Sequence, residues 1–402
     1  MKILVLNAGS SSHKSCLFDL TEGHSEAPEP LWRASLDWTH QEGSVELSAS
    51  GSGESVQQVL PITDKAAGLE AMVKTLVEGP TQVLSSLGEI EAVGHRVVHG
   101  GRDYVDSVRV TEEVKAAIQQ LIPLAPAHNP ANLQGIEAME RILGDVPQVA
   151  MFDTAFHARM PKAAALYPGP YSWVEQGIRR YGFHGISHQY VAQRAADLMG
   201  RDLADLKLLT CHLGNGCSLA AVKGGISVDT TMGFTPLEGL MMGSRSGSVD
   251  PGILIYLMRQ EGYSADQLDT LLNKESGLKG ISGLSNDMRG IAEAMEQGNA
   301  RAKLAVDMFI HRLHREMGAM IASLGGLDAV VFTAGIGENS PLLWQRASAP
   351  FEFLGLRLKK DLARAKDDQD IAAADSGVSV LVIHTQEEWA IAQACLGHRY
   401  SF

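Results

Sequence analysis

Between Leu206 and Phe234 the chain reads LKLLTCHLGNGCSLAAVKGGISVDTTMGF. Three apolar or alternating segments, Lys207 to Cys211, Ser218 to Val222 and Ile226 to Val228, are separated by glycine-rich turns, which predicts a tight three-stranded meander. The first turn, His212-Leu213-Gly214-Asn215-Gly216, can point successive N–H groups at an anion, because glycine reaches positive φ without a Cβ penalty. An ordinary Asn-Gly hairpin would read the same way locally. Repetition weighs against it. The chain opens with a strand at Ile3 to Leu6, a small-residue turn Asn7-Ala8-Gly9-Ser10-Ser11-Ser12, and an alternating segment from Lys14 to Phe18. A further strand, Ala329 to Phe332, leads into Thr333-Ala334-Gly335-Ile336-Gly337-Glu338-Asn339, read as another glycine turn. Two related halves, each with a phosphate-type hairpin, predict a duplicated α/β fold with a nucleotide held in a cleft between two domains.

Length and charge narrow the classes of partner. At 402 residues the chain is long for one core, and two domains are expected. A net charge of -13 argues against a nucleic-acid partner, whose phosphates would be repelled, but local arginines can still hold a small anion. Cys16, Cys211, Cys217 and Cys395 have no CxxC spacing and fit reduced thiols. The sequence starts directly on a strand without a signal-peptide core, and it holds no apolar run of membrane-spanning length. A cytoplasmic protein with no membrane partner is the expectation.

Taken in order, the region from Thr21 to Thr63 reads as further antiparallel strands, and Asp64 to Glu78 as a helix. Val93 to Gly101 is a strand that delivers Arg96 to a glycine pair. Thr111 caps one helix; Asn129-Pro130 opens the next, which Gly144 closes. The strand Val149 to Phe152 ends on Asp153, where open α/β sheets place ligand-binding groups. The domain change is expected just after it, giving 1–153 plus 387–402 as one domain and 154–386 as the other. Ser187 is expected to cap a helix that runs to Gly200, Arg301 to Leu324 is a long helix, and Glu387 to Leu396 a last helix returning to the first domain.

Two arginines stand among glycines, Arg96 in HRVVHGG and Arg245 in GSRSG. Phosphoryl transfer to an anionic acceptor brings like charges together, at about 4 kcal/mol per unit pair at 4 Å and an effective dielectric of ~20. Guanidinium groups relieve that repulsion. Asp153 and Glu387 are the candidate carboxylates for Mg²⁺, the lesser alternative for Glu387 being to serve the N-terminus of the last helix. His184 and His188 have the spacing of a metal pair, but Gly185 stands where a zinc peptidase needs Glu. Neither a Walker-type phosphate loop nor a dinucleotide fingerprint is present, so hairpin turns would have to hold the nucleotide.

Taken together, Asn7 to Ser12, His95 to Gly101, His128-Asn129-Pro130, Phe152 to His157, Tyr181 to Gly185, His212 to Gly216, Arg245-Ser246-Gly247, Phe332 to Asn339 and Glu387-Glu388 resemble the acetate kinase family over nearly the whole chain. The resemblance implies the duplicated, ribonuclease H-like α/β fold of sugar kinases, Hsp70 and actin, a homodimer, and reversible transfer from ATP-Mg²⁺ to a short carboxylic acid, with Mn²⁺ as another usable metal. It implies that Arg96 and Arg245 bind the carboxylate and the moving phosphoryl group, that His184 stabilises the transition state, and that Asp153 is the essential carboxylate. Asn7 and Glu387 would engage the metal, and Lys14 would lie near the substrate end. His212, Leu213, Gly214, Asn215 and Gly216 would face the ATP phosphates. Asp287, Met288, Arg289, Gly335, Ile336, Gly337, Glu338 and Asn339 would surround the nucleoside. An acid of pKa 4 to 5 is already ionised at pH 7, so Asp153 is expected to orient Arg96 or the metal rather than take a proton.

The family pattern breaks at His13, Ser244, Ser248 and Gln386, none of which removes a charged group. Ala127 has a larger consequence, since the family commonly carries Leu there, closing a methyl pocket with Val98, Phe183 and Pro236. A smaller residue predicts better acceptance of propionate, worth about 1 to 3 kcal/mol per methylene. A nucleotide-driven binding protein of the Hsp70 or actin kind and a sugar kinase are the other readings. The first has no use for two arginines and an apolar pocket, and the second would need a base and polar sugar-binding side chains.

Overall fold

The computed structural model describes residues 1–9, 12–20, 26–39 and 43–398; Ser10 and Ser11 of the opening turn, residues 21–25 of the expected strand region and the last four residues lie outside them. The chain divides into two compact units, Met1–Ala155 with Gln386–Phe402, and Phe156–Thr385. Each is built around one sheet.

The first unit contains β1 (Lys2–Ala8), β2 (Ser12–Asp19), β3 (Trp32–Asp37), β4 (Val45–Gly51), β5 (Glu54–Leu60), β6 (Ala92–Val97), β7 (Val108–Arg109) and β8 (Gln148–Phe152). Their order in the sheet is β5-β4-β3-β2-β1-β6-β8-β7. β1 runs antiparallel to β2, with Asn7 opposite Lys14, and parallel to β6; β6 is parallel to β8. In β3 and β4 burial alternates: Trp32, Ala34, Leu36, Val45, Leu47 and Ala49 face the core, while their neighbours in sequence face outward. That period of two puts one sheet face against the helices Lys65–Lys74 and Asn129–Leu143. The helix Glu387–Gly397 lies against β1, β6 and β8. Its approach to β6 depends on Gly94, where a Cβ would come within 2.5 Å of Ile391 Cγ2. This close seat fixes the helix whose first residue is Glu387.

The second unit repeats the plan. Its strands are β9 (Lys207–Leu213), β10 (Cys217–Lys223), β11 (Ile226–Thr230), β12 (Ala329–Thr333), β13 (Gln369–Asp370) and β14 (Ser379–Val382), ordered β11-β10-β9-β12-β14-β13. β9 is antiparallel to β10 and parallel to β12, which is parallel to β14. In both units an antiparallel meander is followed by two parallel strands. The long helix Ala300–Leu324 buries Val306, Phe309, Leu313 and Met317, each worth about 1.5–3 kcal/mol when removed from water. Asn299 starts it and Gly325, at φ 64°, ends it. All four cysteines are buried and free. Among the described residues no helix is long and apolar enough to cross a membrane.

Three local expectations differ. Ala334–Asn339 is a short helix rather than a glycine turn, because Glu338 Oε1 accepts the Ala334 N–H at 2.8 Å and closes the first turn. Asn129 does not cap the helix that begins there; His128 holds that position, and the Asn129 side chain is buried against the backbone of His99. The helix expected from Ser187 begins at Gly185, with His184 as its N-cap in the left-handed conformation at φ 56°. Ser187 is thereby drawn into the first turn and fully buried.

Candidate active site

In the first unit the ends of β1, β6 and β8 converge. Arg96, on β6, donates from Nε to Asp153 Oδ1 at 2.9 Å and from Nη2 to Asp153 Oδ2 at 2.7 Å. Its Nη1 lies 3.4 Å from Asn7 Oδ1 and 3.9 Å from Glu387 Oε2. Burial opposes the Arg96 charge, but Asp153 and Glu387 outweigh it, and the guanidinium pKa is raised. Burial, with Asp153 and Glu388 adding to it, raises the pKa of Glu387 against the pull of Arg96. Glu387 Oε1 is buried and has no hydrogen-bond partner among the described residues.

The loop after β6 is held by two amides that sequence reasoning passed over. Asn132 accepts the Val98 N–H and donates to the Ala8 carbonyl, joining the β1 and β6 ends, while Asn129 brackets the backbone of His99. Their signal was the i, i+3 spacing of two amides on a helix face aimed at strand ends. Val98 is buried beside them. Ala127 is exposed and lines a crevice of about 590 Å³ with Lys65, Gln134 and Arg141. Lys14 lies on the outward face of β2, in a groove of about 620 Å³ that also contains Arg33 and Glu388.

In the second unit the β9–β10 turn, His212 to Gly216, is closed by Gly214 N–H donating to the Gly216 carbonyl, and anchored by Gly243 N–H donating to the Asn215 carbonyl. A Cβ at position 216 would lie 3.1 Å from Arg245 Nη2 and 3.3 Å from His184 Nε2, so both side chains face this turn. Arg245 donates to the Pro236 carbonyl at 2.6 Å. Burial lowers its pKa from the ordinary arginine value. Among the described residues no carboxylate pairs with it. A largely desolvated cation beside a glycine turn is suited to an anion.

His184 stacks on His212, with centroids 4.1 Å apart and planes at 17°. Phe183, just before it, is buried, and its carbonyl is 3.0 Å from His157 Nε2. Asp287 caps the helix Met288–Glu296 and pairs with Arg289 on the surface. The Glu338 carboxylate turns inward to the backbone N–H groups of Ala334 and Thr385, and Trp344 Nε1 donates to the Gly337 carbonyl. Glu338 therefore shapes its loop. Arg180, also passed over, gathers the carbonyls of Thr230, Thr231 and Met232 and pairs with Glu238 at 2.6 Å, which fixes the segment after β11.

Two units with the same strand plan, one carrying at a glycine turn a guanidinium that no carboxylate among the described residues pairs with, define a phosphotransferase of the actin-like α/β class. Sequence comparison makes this specific. The description Acetokinase family covers residues 2–393, and the chain belongs to that family. It is 60% identical over 399 residues to an acetate kinase of Trichormus variabilis and 60% identical over 403 residues to one of Gloeobacter violaceus, covering 98% and 99% respectively of both chains. Among solved structures it resembles Porphyromonas gingivalis acetate kinase, with a TM-score of 0.91 at 41% identity covering 98% of this chain and 99% of that one. It also resembles a propionate kinase from Francisella tularensis, with a TM-score of 0.90 at 37% identity over 98% of each chain. The chain is an enzyme, a phosphotransferase with a carboxyl group as acceptor.

Proposed function

We propose that the chain transfers the γ-phosphoryl group of ATP to the carboxylate of acetate, reversibly, giving acetyl phosphate and ADP. The observation that carries this reading is Arg245, a buried guanidinium with no carboxylate partner among the described residues, facing the His212 to Gly216 turn together with His184. In this reading the turn receives nucleotide phosphates through its backbone N–H groups. Arg245 and His184 meet the charge on the moving phosphoryl group, where preorganised donors contribute most. Asp287 to Arg289 and Gly335 to Asn339 border the nucleoside, Glu338 as the brace of its loop.

Arg96, held by Asp153, binds the acceptor carboxylate through the remaining edge of its guanidinium. The acceptor is already an anion at neutral pH, so the residues need to screen charge and align oxygen with phosphorus rather than remove a proton. Val98, buried just after β6, supplies an apolar surface beside it.

Mg²⁺ fits the residues of the first unit. Among the described residues Glu387 Oε1 is buried without a partner and Asn7 Oδ1 shows only the long contact from Arg96, which leaves two hard oxygens for a cation that takes its other ligands from water and phosphate. Bound there, the metal would neutralise phosphate charge. Mn²⁺ has the same ligand preference.

The working form in this reading is a cytoplasmic homodimer. The helix Pro251–Gln260 supports the dimer: Ile253, Ile255, Tyr256 and Met258 are all exposed along it, and none of its residues is buried. Propionate is the second reading for the acceptor, favoured by the likeness to a propionate kinase.

An Arg245→Gln variant tests the central role. It is expected to lose acetyl phosphate formation by at least about 100-fold while still binding ADP. Retention of wild-type turnover would overturn the reading.

A further inference from the structure

Behind His184 lies a chain of fully buried polar groups that the reaction itself does not require. His184 Nδ1 is 2.9 Å from Ser218 Oγ; the same hydroxyl is 2.8 Å from His188 Nε2; and His188 Nδ1 is 2.7 Å from Thr210 Oγ1. Ser218, His188 and Thr210 are each 0% exposed. Thr210 Oγ1 also reaches the Ala220 carbonyl at 3.3 Å. A carbonyl only accepts, so this contact gives the wire its direction.

With the Thr210 proton on Ala220, the Thr210 oxygen accepts His188 Nδ1–H. The neutral His188 ring then has a lone pair on Nε2, which takes the Ser218 proton. Ser218 can then only accept from His184, so His184 carries hydrogen on Nδ1. The opposite direction would place the Thr210 proton on His188 and leave the Ala220 carbonyl without that bond. Burial, with His157 and His212 nearby, lowers the His188 pKa well below its ordinary value, which keeps this ring neutral, and its two hydrogen bonds select the tautomer.

We propose that Thr210, His188 and Ser218 are positioning residues that lock His184 with its proton on Nδ1 and Nε2 turned toward the Gly216 turn that Arg245 also faces. Two contacts hold the ring in this attitude. The His157 bond to the Phe183 carbonyl fixes the backbone just before the left-handed His184, and the His212 ring lies flat against it. His212 is held in turn through Nδ1 by Ser187, whose hydroxyl is 2.9 Å from Thr385 Oγ1. Neutral His184 then offers a lone pair at Nε2, and only its imidazolium offers an N–H there to a phosphoryl oxygen. A proton gained at Nε2 is stabilised by the same Ser218 oxygen, which already accepts from Nδ1.

This inference rests on the phosphoryl-side role given to His184 above, and its test separates the two. Histidine ¹⁵N spectra of the full-length enzyme, assigned with His184→Gln, report the tautomer directly. For the neutral ring the expected form is Nδ1–H in the wild type and in Thr210→Ser, with Nε2–H becoming populated in Thr210→Val. Turnover should fall by about 10- to 100-fold in Ser218→Ala and Thr210→Val with the KM for acetate unchanged, and return in Thr210→Ser. An Nε2–H ring in the wild type overturns the wire even if the variants are poorly folded, and so does an Nδ1–H ring untouched by Thr210→Val in the folded variant. A tautomer change without a change in turnover leaves the wire standing and instead removes His184 from the reaction.

Discussion

Arg96 meets Asp153 side by side, two donors on two oxygens at 2.9 and 2.7 Å, with the carboxylate almost wholly buried. Such a fork fixes the plane of the guanidinium as well as its distance. Asp153→Asn keeps the volume but loses one acceptor and the charge, so Arg96 is released toward Glu387. Turnover should drop by about 100- to 1000-fold, equivalent to one or two charge-assisted hydrogen bonds, with the shape of the pH profile unchanged. Steady-state kinetics across pH checks this; a variant that keeps its turnover and loses only its pH dependence would overturn the orienting role of Asp153.

Glu387→Gln should raise the Mg²⁺ concentration needed for half-maximal activity by about tenfold or more. The metal-free protein should be no less stable, since a buried carboxylate with an unpaired oxygen has been removed. Metal titrations followed by activity and by thermal melting separate these two effects.

Gly216→Ala places a methyl group against Arg245 Nη2 and His184 Nε2 at 3.1 and 3.3 Å. The arginine tip can yield and the stacked imidazole yields less. Loss of kcat should therefore exceed loss of stability, with Tm shifting by only a few degrees, about what ~1 kcal/mol produces in a domain of this size.

Acid should unfold the first unit early. Burial lowers the pKa values of His13, His95 and His99 from 6.5 to about 4, so these rings are neutral in the folded state and accept protons on unfolding. Their contribution is complete above pH 6.5 and is lost as pH falls toward 4, on the order of 3 kcal/mol per ring. His13, buried against Trp38, gives the cleanest test. His13→Leu should stabilise the protein more at pH 5 than at pH 7.5 in denaturant titrations.

The strand plan was legible because its signals are local. Alternation in β3 and β4, the Gly turns and the buried runs of β1 and β9 each specify a strand without reference to the rest of the chain. The Gly335 to Asn339 segment was misread as a turn, because what closes it is a carboxylate four residues on, at Glu338, and glycines alone resemble a turn. Ser187 and Asn129 were misread as caps for the complementary reason. Both residue types favour helix starts, and only the tertiary structure reveals that their side chains serve His212 and His99 instead. Arg96 and Arg245 stood out through their glycine neighbours, whereas Ser218 and Thr210 are ordinary strand residues until His188 is placed between them.

Ala127→Leu should lower the propionate-to-acetate ratio of kcat/KM by about 5- to 100-fold, the range for one to a few kcal/mol in an apolar pocket. Competition between the two acids at fixed ATP measures that ratio. An unchanged ratio would leave Ala127 as part of the crevice it lines with Lys65 and Arg141, without a role in choosing the acid.

The most direct measurement is phosphoryl transfer from ATP-Mg²⁺ to acetate, propionate and butyrate, with the acyl phosphate trapped by hydroxylamine. The expected result is acetyl hydroxamate formed in step with ADP, a smaller but clear propionyl product, and little from butyrate. ATP turnover without a trapped hydroxamate from any of the three acids would contradict the assignment of a carboxylate acceptor.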